Sequence, residues 1–176
     1  MAKYLGLQSL PGGYRNYKIF ILKVLAKIFS RPIQRSELLE WIKSEFKLSG
    51  TKAPKWYIHT LFSLGLVRES ESGLSLSEAG RKFLSTQDDE IILKKLLENF
   101  AGFQEILALL QSKAGASSSE IHKMLRSTCG FVWMTDTQTS KRLLWLRALG
   151  YVETDGRRRH YLTEKGRKVA SAITSM

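Results

Sequence analysis

The sequence has 176 residues, 43% of them hydrophobic, and carries 28 Lys and Arg against 16 Asp and Glu, a formal net charge of +12. This content argues against disorder, and no apolar run approaches the roughly 20 residues that span a bilayer. The start lacks the apolar core of a secretory signal, and the single Cys129 excludes an internal disulfide and a cysteine metal site. We therefore expect an intracellular protein, cytoplasmic or with DNA in a nucleoid or nucleus. The charge favours nucleic acid over an anionic membrane surface, and we expect no membrane partner; a merely basic soluble protein is the alternative.

The first part of the chain predicts three helices, a β-hairpin and a short helix. Apolar residues at helical spacing indicate the helices, and Thr51 can cap the third. The stretch from Leu66 to Leu76 is too short for a helix and has Glu-Ser-Glu-Ser-Gly at its centre, which indicates a hairpin. The predicted elements are a loosely ordered N-terminal arm over residues 1–16, helices over about 17–29, 38–46 and 51–64, the hairpin, and a helix capped by Ser77.

The second part of the chain predicts the same order after a connecting helix over residues 87–99. Capping boxes starting at Ser117 and Thr135 open its second and third helices. A hairpin over residues 151–162 follows, and Thr163 caps a last helix. We therefore expect a second copy of the first fold.

Two sequence blocks support this duplication because they recur at a nearly fixed offset. Leu64-Gly65-Leu66-Val67 recurs 85 residues later as Leu149-Gly150-Tyr151-Val152, and residues 77–82 recur 86 residues later as residues 163–168. A repeat whose only length change falls between fixed blocks indicates a duplicated domain. The predicted division is an arm over 1–16, domain 1 over 17–86, a connecting helix over 87–99 and domain 2 over 100–176.

In the second copy, Leu149-Gly150-Tyr151-Val152 is followed, after the hairpin, by Tyr161-Leu162-Thr163-Glu164-Lys165-Gly166-Arg167. This run resembles the winged-helix superfamily, and the resemblance covers about residues 17–85 and 100–174. It implies a mainly α fold with small β-hairpin wings, arranged as two tandem winged helix-turn-helix domains. It implies no single function, because winged helices serve as transcription regulators, replication and restriction modules, and protein-binding pieces.

In winged helices that bind DNA, the third helix enters the major groove. In the second copy, inward-pointing Leu143 and Leu146 would turn polar and aromatic side chains outward, where Gln can pair with adenine and Arg with guanine. Hydroxyls and free N–H groups at the helix start suit phosphate. A capped, solvated helix face is the alternative. The predicted contacts are Thr135, Thr137, Gln138, Thr139, Lys141, Arg142 and Trp145.

The second hairpin is predicted to be a basic wing. Pairing Val152 with Tyr161 leaves the tip at residues 155–158. The arginines at this tip would grip phosphates or enter the minor groove, although a solvated charge run is the alternative. The predicted contacts are Arg157, Arg158, Arg159 and His160.

The first copy departs from this symmetry. Its hairpin tip, residues 69–73, carries two glutamates and would repel phosphate. Lys52 and Lys55 start its third helix, where they could reach a backbone. Trp56 and Tyr57 match Lys141 and Arg142 by the offset; they would stack on a splayed base or, the favoured alternative, pack on the neighbouring copy.

The chain shows no nucleophile, paired-carboxylate or glycine-rich phosphate motif, so we predict no enzyme, no cofactor and no metal. The predicted function is binding of double-stranded DNA, as a regulator or as the recognition module of a larger restriction or replication factor. The alternative is a protein-interaction adaptor, similar to the tandem winged-helix subunits accessory to condensin or RNA polymerase. A continuous basic stripe joining helix 135–149 to wing 151–162 would favour DNA; an apolar aromatic patch would favour a protein. RNA or single-stranded DNA, a protein partner and further domains of a longer chain stay open.

Overall fold

The computed structural model describes residues 3–50, 52–113 and 115–174, so the predicted cap Thr51 lies outside it. The described chain is mainly helical with two small antiparallel hairpins, which confirms the predicted fold class at that level. None of its helices is long and apolar enough to cross a membrane. After a 3-10 turn over Tyr14–Asn16, the elements are α1 (Tyr17–Phe29), α2 (Arg35–Glu45), α3 (Lys52–Ser63), β1 (Val67–Ser70), β2 (Gly73–Leu76), α4 (Glu78–Thr86), α5 (Asp89–Asn99), α6 (Phe103–Ser112), α7 (Ser118–Cys129), α8 (Thr137–Ala148), β3 (Val152–Thr154), β4 (His160–Leu162) and α9 (Glu164–Thr174).

The chain divides into two compact units. The N-unit comprises Leu10–Asn99, and the C-unit comprises the chain from Phe100 onward together with the residues up to Ser9. The boundary at residue 100 agrees with the predicted start of domain 2. The predicted connecting helix is instead part of the N-unit, where Asn99 Nδ2 donates to the Ser63 carbonyl at 2.8 Å.

The predicted loose arm is wrong for the part of residues 1–16 that the structure describes. Leu7 and Leu10 are buried, the first in the C-unit and the second in the N-unit. Tyr4 forms a parallel β-bridge with Phe100 and lies with its ring centroid 5.5 Å from that of Phe100. Sequence periodicity could not show this order, because the segment is held by residues about 100 positions away.

The repeated sequence blocks build the same junction in both units. Ser77 Oγ accepts from the N–H of Gly80 at 3.0 Å, and Thr163 Oγ1 accepts from that of Gly166 at 3.1 Å. Each hydroxyl also donates to the carbonyl of the glycine that follows the third helix. The hydroxyl therefore caps the helix that follows the hairpin (α4 or α9) and ties it to the end of the third helix, which explains why a Ser or Thr recurs there.

Small residues are required at the same junction. A Cβ on Gly80 would overlap the carbonyl oxygen of Leu66, and one on Gly166 would overlap that of Tyr151. Both overlapping atoms belong to the backbone and cannot move aside, so the helix after the hairpin can approach so closely only where it carries glycine. The recurring glycine is thus explained by packing.

Both hairpins also pair with the segment between the first two helices of their unit. Ile33 bridges Leu74 in the N-unit, and Ala116 bridges His160 in the C-unit. The C-unit register differs by one residue from the prediction, since Val152 lies opposite Leu162. This pairing places both buried side chains on the core side and lengthens the tip to residues 155–159.

Candidate nucleic-acid interface

The structure contradicts the predicted exposure of three residues of α8. Thr139, Arg142 and Trp145 are all fully buried. Thr139 lies on the inward stripe of Leu143 and Leu146, whereas the N-terminal segment (residues 3–9) covers a second face of the helix that carries Arg142 and Trp145. Trp145 Nε1 donates to the carbonyl of Gln8 in that segment at 3.0 Å.

Arg142 holds the N-terminal segment in place. Its guanidinium donates to the carbonyl oxygens of Leu5, Ala101 and Gln138 at 2.9, 2.6 and 2.9 Å, and its Cζ lies 4.1 Å from the centroid of the Trp133 ring. Burial lowers the pKa of Arg142 to about 9, so the group stays charged at neutral pH. Its donors are occupied by the protein, so Arg142 is a structural residue and not a reader of guanine.

Two further predicted base-reading side chains also contact the N-terminal segment. Gln138 Oε1 accepts from the Leu7 N–H at 2.9 Å, and Lys141 Nζ donates to Gln8 Oε1 at 2.9 Å. Burial lowers the pKa of the half-buried Lys141. The face predicted to read bases is therefore occupied by the chain itself.

The helix start differs from the predicted capping box as well. The N-cap of α8 is Asp136, with no side-chain cap bond, while Thr135 Oγ1 donates to Thr137 Oγ1 at 3.0 Å. Thr135 and Thr137 are exposed, as predicted. They remain candidates for phosphate contact.

A different face of α8 reaches solvent, and it lies beside the second hairpin. Ser140, Leu144 and Arg147 recur at helical spacing and are half-buried. They border a groove of about 450 Å³. The groove is completed by Ser118, Leu143, Thr154, Asp155, Arg158 and His160. The sequence contained a signal for this face, the i, i+4, i+7 spacing of residues 140, 144 and 147, but it was not singled out.

The tip of the second hairpin is organised by one carboxylate. Asp155 Oδ1 accepts from the backbone N–H of Arg159 at 2.8 Å and from that of Arg157 at 2.9 Å, and these bonds lower the pKa of Asp155. The Arg159 side chain donates to the Gly115 carbonyl at 2.8 Å. Arg157 and Arg158 are exposed. Two of the three predicted arginines thus project from the tip, and the third ties the hairpin to its unit.

His160 is buried and joins the two strands of the second hairpin to the start of α7. Its Nδ1 lies 3.1 Å from Thr154 Oγ1 and its Nε2 lies 3.0 Å from Ser118 Oγ. Burial lowers the pKa of His160, and Arg147 lowers it further. The predicted contact with DNA is therefore wrong for this side chain, whose hydrogen bonds position the groove.

A second shallow groove lies along α7. It is lined by Ser119, His122, Lys123, Arg126 and Ser127. His122 Nδ1 lies 3.4 Å from Thr139 Oγ1, which fixes this part of α7 beside the start of α8. The cations that border the two grooves or project from the hairpin tip are Lys123, Arg126, Arg147, Arg157 and Arg158.

Charge divides between the units differently from the division by sequence halves. The C-unit carries 13 Lys and Arg against 6 Asp and Glu, whereas the N-unit carries 15 against 10. Divided after residue 86, the sequence has the opposite order: residues 1–86 have a net charge of +8 and residues 87–176 one of +4. Residues 87–99 carry four acidic and two basic side chains, so assigning them to the N-unit makes the two charges equal at +6, and Lys3, which belongs to the C-unit, changes them to +5 and +7.

In the N-unit, the exposed face of α3 carries Lys52, Lys55 and Trp56. Tyr57 is half-buried and packs edge-on against Phe20 of the same unit, with centroids 5.5 Å apart. Burial raises the pKa of Tyr57. Tyr57 is therefore a packing residue, and the other three predicted residues stay accessible.

The first hairpin is closed onto its own unit by an ion pair. Arg35 donates to Glu69 through Nε at 3.2 Å and Nη2 at 2.8 Å, and its Cζ lies 5.1 Å from the centroid of the Phe62 ring. Glu71 is exposed at the tip. This hairpin thus presents acidic rather than basic charge.

The described residues contain no group of three or more His, Cys, Asp or Glu arranged to hold a metal ion. No protein-family model and no curated protein matches the sequence.

Proposed function

We propose that the chain binds double-stranded DNA through two tandem winged helix-turn-helix domains, as a regulator or as the recognition module of a larger protein. Three helices, a hairpin and a last helix recur in each unit, with a bridge from the first interhelical segment to the hairpin. This order supports the winged-helix resemblance. The C-unit makes the principal contact, with α8 directed to the major groove and the second hairpin to the backbone or minor groove.

One observation carries the proposal: Arg147 of α8 and Arg158 of the second hairpin border the same groove. A helix and a hairpin that line one cationic groove can neutralise phosphates on both sides of a duplex groove. Lys123 and Arg126 extend the cations along α7. Phosphate contact is therefore the chemistry that this surface supports best.

The test is binding of a labelled duplex of random sequence across a salt series. The first variant is Arg157→Ala with Arg158→Gly; glycine is chosen because Arg158 has a φ of 60°. We expect the slope of log affinity against log salt to fall by about 2, at roughly 0.9 for each lost phosphate contact. Arg147→Ala should reduce it by about 1.

The matched control removes two exposed cations from α4, Arg81→Ala with Lys82→Ala. This variant should keep the wild-type slope although it loses the same charge. An equal effect in the control would mean that binding follows net charge alone. Absence of duplex binding at low salt, with the protein shown to be folded, would refute the proposal.

A protein-interaction adaptor is the second candidate, favoured by exposed apolar side chains between α7 and α8. Val132 is 74% exposed and Met134 is 83% exposed. A protein partner would cover them, so Val132→Ser with Met134→Ser should abolish its capture and leave duplex binding unchanged. Loss of duplex binding in this variant, with the fold intact, would exclude a separate role for these residues.

A further inference from the structure

The exposed face of α3 combines an open aromatic ring with positive charge. Trp56 is 45% exposed, and its ring lies edge-on to His59 with centroids 6.0 Å apart. His59 Nε2 lies 3.5 Å from Ser63 Oγ on the next turn. Lys52 lies one turn before Trp56 on the same side of the helix, Lys55 directly precedes Trp56, and both lysines are exposed. The exposed indole thus has two exposed lysines within one helical turn of it.

This combination has a specific chemistry. A nucleobase freed from its partner can stack on an exposed aromatic ring, while neighbouring cations bind the phosphates on either side of that base. A base inside a duplex is already stacked on both faces and cannot use the ring in this way. The ligand class that fits is therefore single-stranded nucleic acid.

The neighbouring hairpin supports a ligand other than the duplex proposed for the C-unit. Its exposed Glu71 repels phosphate, and Arg35 is already paired with Glu69. A duplex laid against α3 in the winged-helix manner would bring its backbone to this acidic tip. A single strand needs only the helix face and can follow the lysines without approaching the hairpin.

We propose that Trp56, Lys52 and Lys55 form a binding site for an unpaired base in single-stranded nucleic acid. The site goes beyond the proposed duplex function, because its ligand is single-stranded and it lies outside the C-unit, which makes the principal duplex contact. Trp56 stacks on the base and the two lysines hold the adjoining phosphates. Tyr57, packed on Phe20, supports the helix from its other side and does not touch the ligand.

The experiment measures the anisotropy of a labelled oligothymidylate of twelve nucleotides in the Arg157→Ala/Arg158→Gly background, which removes phosphate contacts of the second hairpin. Trp56→Leu should weaken binding about 5- to 150-fold, as expected for about 1–3 kcal/mol of stacking on one base. Trp56→Phe keeps an aromatic face and should retain most of the affinity. A strand of the same length without bases should bind weakly and show no response to Trp56→Leu.

An oligouridylate of equal length is the second arm, and it separates DNA from RNA as the source of the strand. Trp fluorescence gives an independent readout: oligothymidylate should quench wild-type emission, and Trp56→Phe should remove that quenching. Unchanged affinity in Trp56→Leu, or wild-type binding of the baseless strand as tight as that of oligothymidylate, would overturn the site. Absence of duplex binding by the wild-type protein, with Trp56-dependent strand binding intact, would overturn the duplex proposal alone.

Discussion

The two hairpins occupy the same place in their units but have opposite chemistry. In the N-unit, Arg35 is drawn onto Glu69 and the tip ends in Glu71. In the C-unit, Asp155 accepts the backbone hydrogen bonds that hold the turn, and the side chains of Arg157 and Arg158 are exposed. One fold can therefore display either charge, because the residues that build the turn are distinct from those that project from it.

The third helices differ in a complementary way. In α8 the N-terminal segment covers Arg142 and Trp145. A different face of the helix, which carries Arg147, borders the groove. In the matching region of α3, the Trp56 side chain is exposed to solvent. The two units therefore share a similar scaffold, and coverage of α8 by a distant segment changed which of its faces is accessible.

The largest effect is expected from removing the residue that holds this cover. Arg142→Ala leaves buried carbonyl groups without donors and a cavity beside Trp133, so the C-unit should lose about 4 kcal/mol of stability. Hydrogen exchange of peptides from residues 3–9 and α8 would measure it. The matching N-unit change, Tyr57→Ala, removes a half-buried ring and should cost about 1–2 kcal/mol. Equal protection of residues 3–9 in wild type and Arg142→Ala would show that another contact holds the segment.

An intermediate effect is expected at the glycines common to both units. Gly80→Ala should destabilise the N-unit and Gly166→Ala the C-unit by about 2–3 kcal/mol each, because the new Cβ meets a backbone carbonyl. Denaturant unfolding of each variant measures the loss. Gly156→Ala is the control, since a Cβ there meets no heavy atom within 4 Å. A wild-type midpoint for either junction variant would contradict the close approach.

The smallest effect is a pH dependence confined to the C-unit. His160 is buried with a lowered pKa, although Asp155 opposes this shift, whereas the matching hairpin residue of the N-unit is Leu74. The unfolded state therefore binds a proton more readily, so the stability contributed by neutral His160 is complete above its unfolded pKa of about 6.5 and is lost as pH falls through the lowered folded value. Stability measured from pH 7 to 5 should fall less in His160→Gln. Identical profiles would show that other groups govern this range.

Much of the fold could be predicted from local sequence. The spacing of apolar residues predicted the helices of both units, and the recurring Ser77 and Thr163 correctly predicted the caps of their last helices. The repeated order of elements could be recognised in the sequence, because the hydrogen bonds of each helix–hairpin–helix junction join residues that are close in the chain. The acidic and basic hairpin tips were predicted for the same reason, since a tip projects whatever residues it carries.

The candidate site was only partly predictable. Exposure of Arg157, Arg158 and Lys55 agreed with expectation, whereas burial of Arg142 did not. Trp56 is exposed, although packing was the favoured alternative for it. A residue's period on a helix tells which side faces the unit's own core, but it cannot tell that a distant segment covers another side. His160 is likewise buried because it contacts Thr154 of β3 and Ser118 of α7, which sequence spacing does not show.

The sequence by itself determined the repeated order of elements, the Ser77 and Thr163 caps of the helices after the hairpins and the sign of charge at each hairpin tip, because local spacing and short-range hydrogen bonds specify them. Only the tertiary structure decided which faces of α3 and α8 reach solvent. That decision depends on contacts such as the bond from Arg142 to the Leu5 carbonyl, 137 residues away. Burial is a property of the folded chain, and one long-range contact was enough to change the face that α8 presents.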